Sequence, residues 1–325
     1  MIVRRGACEA AAGCAALAAL LLAGSGAGAG RGKRVDPPAV RYGPEREKID
    51  YREREPAAKA ELFRKINAER AAARLPTLQY DLFAAKVGDA FCLDAAANGT
   101  VGHYDVEGRA PYLRWALAGG VDYHGQNAGS VSRTGMRIRE AEVPGQLLGT
   151  HASMMAEHPP DDGHRRTVLD PIWTHVGIGV AVVGGEFRMT EEYSRRVVTW
   201  VDVPSEPMRA GTTAAFTAQL PSGWNVGALE VAHEKFPHPL TAREIAARSS
   251  YRFPQSFLKL LPVLSGGLRY ADARPGDFHV NFGRLEARIP LTKGPGDYYV
   301  FVFADRGNIL GRRLSSITGA LIVAE

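Results

Sequence analysis

The chain has little sulfur. It holds 3 cysteines, and Cys8 and Cys14 fall in the first 30 residues, which leaves Cys92 alone in the body. That excludes an intramolecular disulfide framework and a cysteine-based zinc ribbon. Charge of one sign is scarce as well: 40 Lys and Arg against 35 Asp and Glu give +5. The first 30 residues contribute Arg4, Arg5 and Glu9, which leaves +4 spread over the rest. An excess so small and dispersed argues against nucleic acid as a partner. No apolar run reaches the roughly 20 residues of a transmembrane helix; the run from Ala10 to Ala23 has 14 and includes Gly13. No Gly-x-Ser-x-Gly elbow supports Ser132 or Ser153 as a nucleophile, and Gly119-Gly120 is too isolated to cradle a phosphate.

What is present is enough for two ordinary domains: 325 residues, 45% of them hydrophobic. Residues 1–30 read as a secretory signal, with a basic start, the apolar run and the small triplet Ala27-Gly28-Ala29 for cleavage, so the mature chain begins near Gly30. A lipidated start at Cys14 is the alternative. Residues 31–56 hold 14 charges and Pro37-Pro38, and read as a solvated tether. Both point to an extracytoplasmic protein, periplasmic or secreted.

Order begins at Ala57, where Leu62, Phe63, Ile66 and Arg70 recur at helical spacing. A second helix is predicted from an N-cap at Asp81 to the Asn98-Gly99 stop, with Cys92 on its apolar face. A third follows Pro111 and ends at Gly119-Gly120, and a fourth runs from about Glu142 to Glu157 before Pro159-Pro160. Strands are predicted at 176–183 and 187–203, joined by Gly184-Gly185 as a hairpin. Helices first and strands last make residues 57–204 an α+β domain. Residues 205–325 carry short β-rich runs between Gly, Pro and Asp clusters and suit a β-sandwich, with 257–264 open to either helix or strand. Within Gly294-Pro295-Gly296-Asp297-Tyr298-Tyr299-Val300-Phe301 the pattern resembles the tyrosine corner of immunoglobulin-like folds. Tyr299 is the expected corner residue and Phe301 the expected core residue. The composition break at Pro204 leads us to expect two independently folding units.

Six of the 9 histidines lie between residues 103 and 175. His103, in Gly102-His103-Tyr104, and His164, in Gly163-His164-Arg165, each follow a predicted helix end, where a loop can offer an imidazole to a ligand. His151 and His158, seven apart with Met154 and Met155 beside them, read as a helix face packed on the sheet, and His124 and His175 as structural residues.

The motifs Ile66-Asn67-Ala68-Glu69-Arg70, Leu75-Pro76-Thr77-Leu78, Gly102-His103, Gly125-Gln126-Asn127, Gly163-His164-Arg165 and Val176-Gly177-Ile178-Gly179-Val180 occur in this order. Together they resemble the CAP superfamily, the cysteine-rich secretory, antigen 5 and pathogenesis-related 1 type, in its bacterial disulfide-free form. The resemblance spans residues 57–203 and implies an α-β-α sandwich. It further implies a cleft in which two histidines and two acidic residues can hold a divalent metal. His103 and His164 match the histidine motifs. Gln126 stands where the first acidic residue is expected. Glu157 is the candidate for the second, with Glu140 and Glu142 as alternatives. The implied cleft is thus His103, Gln126, Asn127, Glu157 and His164, and the implied metal ligands are His103, His164 and Glu157, holding Zn²⁺. With one carboxylate replaced by an amide, the chain reads first as a non-enzymatic binding module for a small-molecule, lipid or cell-envelope ligand. A metal-dependent hydrolase acting on peptide or envelope material is the alternative.

Overall fold

The computed structural model describes residues 57–204, 206–248, 250–306 and 315–325. The signal-like segment 1–30 and the tether 31–56 lie outside the described residues. No described helix is long and apolar enough to cross a membrane.

Helices lead. α1 (Ala57–Ala72) precedes β1 (Gln79–Tyr80), α2 (Leu82–Asn98) and α3 (Pro111–Leu117); β2 (Tyr123–Ser132) is followed by α4 (Val143–Met155), α5 (Gly163–Val168), β3 (His175–Val183) and β4 (Glu186–Arg195). The local signals act as expected. The Asp81 carboxylate accepts from Phe83 N–H to start α2, and Gly99, with φ of 63°, closes it in the left-handed region that glycine adopts without cost. α5 was not expected, and it places His164 in a first helical turn instead of a loop.

The four strands form one sheet in the order β1-β3-β4-β2, antiparallel except for β1 beside β3. α2 lies on one face, so close that a Cβ on Gly177 would meet the Ala85 nitrogen at 2.2 Å. α1 and α4 cover the other face, where Leu62, Ile66, Leu147, Val176, Ile178 and Phe187 form the core. This is the expected α-β-α sandwich. Two motif residues are structural clamps. Asn67 exchanges two hydrogen bonds with the Leu78 backbone, and the buried Arg70 guanidinium donates to the Pro76, Val168 and Asp170 carbonyls.

The strand expected over 187–203 is two strands. β4 ends at Arg195, and β5 (Thr199–Asp202) leaves for a different sheet. β6 (Thr213–Gln219), β7 (Trp224–Glu234), α6 (Ala242–Ala246), β8 (Ser256–Leu260), β9 (His279–Asn281), β10 (Arg284–Pro290), β11 (Gly296–Arg306) and β12 (Ser315–Ala324) follow it. The sheets β5-β6-β10-β9 and β12-β11-β7-β8 enclose a core of Phe216, Leu229, Val231, Leu285, Ile289 and Val300. Lettered A to G with β8 as C′, this is the A-B-E-D and G-F-C-C′ arrangement of an immunoglobulin-like sandwich.

The tyrosine corner is present, but Tyr298 makes it. Its hydroxyl accepts from Lys293 N–H at 2.7 Å and donates to the Gly294 carbonyl at 2.9 Å. A shift of one residue exchanges the faces of a strand. Tyr298, Val300 and Val302 therefore enter the sandwich core, whereas Tyr299 and Phe301 point at the helical half. There they meet Ala110, Tyr112 and Leu113, so β11 is buried on both faces.

Candidate functional site

β2 is an edge strand, and its adjacent residues Gln126 and Asn127 project to opposite faces of the sheet. Gln126 opposes Glu192, on the α2 side; Asn127 opposes Glu191, on the α1 and α4 side. His103, past the end of α2, reaches Gln126 from the first face, its Nδ1 lying 2.9 Å from Gln126 Oε1. His164, at the start of α5, reaches the edge from the second face, where its carbonyl accepts from the Asn127 amide at 3.1 Å. Glu157 binds His164 twice, Oε1 at 2.5 Å from the ring Nδ1 and Oε2 at 2.9 Å from the backbone N–H. His103 thus contacts Gln126 on one face of β2, and His164 contacts Asn127 and Glu157 on the other. The alternatives for the second acidic position do not join them. Glu142 is tied up by Arg133 and Arg139, which hold its carboxyl down at about 2, and Glu140 is exposed.

The polar partners fix the proton positions. Glu192 is an acceptor, so the Gln126 nitrogen donates to it at 2.8 Å, which leaves Gln126 Oε1 as the acceptor facing His103. His103 then donates from Nδ1 and presents Nε2 as a lone pair. Burial pushes its pKa down to about 4; the Gln126 bond opposes the fall and His164 adds to it. The ring is therefore neutral at pH 7. His164 likewise donates from Nδ1, to Glu157, and its side chain is 25% exposed. Both imidazoles are anchored through Nδ1, His103 on Gln126 and His164 on Glu157. This is the orientation that outer partners impose on ligating histidines.

The resemblance implies a divalent metal here. Among the described residues no group of three or more His, Cys, Asp or Glu is placed to hold an ion. Glu157, the expected third ligand, is hydrogen-bonded to His164 through both oxygens. Two nitrogens fall short of the three protein ligands of an open zinc site. As placed, the described residues assemble no ligand set for an ion.

Several contributors were not foreseen. Glu192 is buried and also receives His124 Nε2 at 2.8 Å, with the His124 ring stacked on Trp115. On the other face Glu191 receives His151 Nδ1 at 2.6 Å, the Tyr193 hydroxyl and the Asn127 amide, and His151 Nε2 reaches Glu69 at 2.6 Å. His151 thus lies on the packed helix face expected for it, yet it works as a bridge between carboxylates. The visible signal was an acidic pair in the middle of a strand otherwise built to be buried. Tyr251 was missed because it comes from the sandwich half. Its hydroxyl accepts from Gln126 N–H at 2.7 Å, and its ring meets His103 edge to face at 4.9 Å.

No family model matches the chain, and no curated protein matches it. Among solved structures it is similar to an extracellular protein containing an SCP domain from Bacillus anthracis, at 20% identity and a TM-score of 0.33 over 43% of this chain and 40% of that one. An outer surface protein from Borrelia burgdorferi is similar at 16% identity and a TM-score of 0.36, over 46% of this chain and 98% of that one. A cysteine-rich secretory protein from Staphylococcus aureus is similar at 16% identity and a TM-score of 0.29, over 43% and 39%. The chain thus spans 40% of the Bacillus protein and 39% of the Staphylococcus protein. Two of the three are of the SCP or cysteine-rich secretory kind that the motifs resemble. Overlaps of this size are a likeness only and decide nothing about a ligand.

Proposed function

We propose that this chain is an exported CAP-type binding module that engages a ligand beside β2, at His103 and His164, and turns over no substrate. The observation that carries this reading is the pair of imidazoles anchored through Nδ1, His103 on Gln126 and His164 on Glu157. Such a pair can accept hydrogen bonds from a ligand's hydroxyl or amide donors, and the neutral state of His103 keeps its lone pair available at pH 7. The signal-like N-terminus and the lone buried Cys92 suit an extracytoplasmic protein that depends on packing alone. The alternative, a metal-dependent hydrolase acting on peptide or envelope substrates, needs Glu157 to leave His164 and a base to take a water proton. The present hydrogen bonds favour binding.

The test is co-sedimentation of the purified protein with insoluble bacterial envelope material, with and without added Zn²⁺. Retention should fall about tenfold in the His103→Ala, His164→Ala double variant, a change of about 1.4 kcal/mol, and no soluble fragments should be released. Release of fragments that needs Zn²⁺ and both histidines would establish the hydrolase instead. Equal retention of the double variant would remove the cleft from the function.

A further inference from the structure

A cavity of about 410 Å³ opens between the two halves, and none of the five cleft residues lines it. Its volume lies in the range of about 300–1,000 Å³ typical of small-molecule sites, which favour domain boundaries. The walls are fixed. Leu240 N–H donates to the Val106 carbonyl at 2.9 Å and ties the segment after β7 to the loop before α3. Gly108, with φ of 79°, permits this approach, since a Cβ there would meet the His238 carbonyl at 2.2 Å.

Three kinds of group line the cavity. Tyr104, Tyr112 and Phe236 supply aromatic surface, and Phe236 is 45% exposed. Lys235 and Arg248 supply cationic groups with no hydrogen-bonded carboxylate among the described residues, and His238 adds an imidazole; the Arg248 guanidinium lies over the Tyr104 ring at 5.0 Å. The exposed Glu244 carboxylate is held in its own helix cap by Thr241 and is also attracted by Arg248. One carboxylate, Glu234, belongs to the wall itself, pinned by the Tyr112 hydroxyl at 3.1 Å and the Tyr299 hydroxyl at 2.5 Å. Each of its oxygens keeps acceptor capacity.

The ligand must satisfy all three at once. The cations call for an anion, and the ring surfaces call for an apolar face. Glu234 repels a ligand that is anionic or apolar throughout, and it rewards hydroxyl donors. We infer that this cavity binds an acidic sugar: a hydroxylated ring, its C–H face on the aromatic wall, carrying one carboxylate or phosphate toward Lys235, His238 and Arg248. The inference stands apart from the histidine cleft and survives if that reading fails.

Calorimetric titration of the folded chain with glucuronate, glucose 6-phosphate, glucose and inorganic phosphate tests it. Both acidic sugars should bind, with glucose and inorganic phosphate at least about tenfold weaker. The tighter of the two acidic sugars names the anion. Arg248→Ala or Lys235→Ala should weaken both acidic sugars about tenfold, and so should Phe236→Ala, which leaves every charge in place. Circular dichroism would verify that these exposed or half-exposed substitutions leave the fold intact. Inorganic phosphate binding as tightly as glucose 6-phosphate and insensitive to Phe236→Ala would overturn the proposal in favour of a bare anion site. Absence of heat from both acidic sugars would overturn it outright.

Discussion

Glu191 and Glu192 are sequence neighbours on β4, both buried, and they lead opposite lives. Glu191 is sealed between α1 and α4. His151, Tyr193 and Asn127 donate to it, and His151 continues to Glu69. Glu192 faces α2, where His124 and Gln126 donate to it, and Gln126 hands the line on to His103 at the cleft. Burial raises both carboxyl pKa values, yet the donors outweigh it and hold each below the usual range. What differs is the far end of each line. His151 sits between two carboxylates; burial opposes its charge, but Glu191 and Glu69 raise its pKa to about 8. His103 has only an amide and ends neutral. A carboxylate at both ends of an imidazole makes a charged clamp, and an amide at one end makes a neutral acceptor that can face a ligand.

The sharpest way to break this comparison is to remove each carboxylate. Glu191→Ala strands a buried imidazolium beside one half-buried partner, and should cost about 3–5 kcal/mol in urea denaturation at pH 7. Glu192→Ala leaves an imidazole and an amide without a charged acceptor, and should cost less, about 1.5–3 kcal/mol. Equal costs would mean that His151 carries no charge.

The Glu192 face is roofed by the sandwich half. Tyr112 anchors that roof through Phe253 at 4.8 Å, Tyr299 at 5.2 Å and the Glu234 carboxylate. Tyr112→Ala should cost about 3 kcal/mol, by analogy with truncation of a buried aromatic. It should also divide one unfolding transition in calorimetry into two, because the interface that couples the halves is lost. Two transitions already present in the native chain would mean that the halves fold independently and that the roof is a weak contact.

The two histidines should respond to pH with opposite signs. His151 is raised from 6.5 to about 8, so its contribution is complete below pH 6.5 and disappears as pH rises through 8. A shift of that size corresponds to about 2 kcal/mol. His103 is lowered from 6.5 to about 4, so its contribution is complete above pH 6.5 and is lost as pH falls toward 4. Urea midpoints between pH 4 and 9 should trace a dome. His151→Gln should flatten the alkaline side and His103→Gln should flatten part of the acid side. An unchanged alkaline slope in His151→Gln would refute the clamp.

Much of this arrangement was legible in the sequence where a single residue type has a single local use. Asp81, Gly99, Pro111 and Gly184-Gly185 mark element ends by backbone chemistry. Pairings across long separations were not legible. His151 meets Glu69 and Glu191 at 82 and 40 residues' distance, and no local pattern names such partners. Nothing in Val197-Val198-Thr199-Trp200-Val201 breaks the run of strand formers where the chain changes sheets. Tyr299 was expected at the corner in place of Tyr298 because β11 is apolar on both faces, which erases the alternation that sets register.

The smallest expected effect measures how much of His103's neutrality comes from the roof. Tyr251→Phe keeps the ring against His103 and removes the acceptor of Gln126 N–H. An edge-strand donor then loses its partner, at a cost of about 1 kcal/mol. The His103 pKa, followed by NMR titration of its ring protons, should stay where it is, because burial by the ring is intact. Tyr251→Ala opens the ring to water, and since burial is the largest cause of the shift, the pKa should climb toward 6.5. If the alanine variant leaves the value near 4, the neutrality comes from His164 and the walls of the helical half, and the sandwich covers the cleft without tuning it.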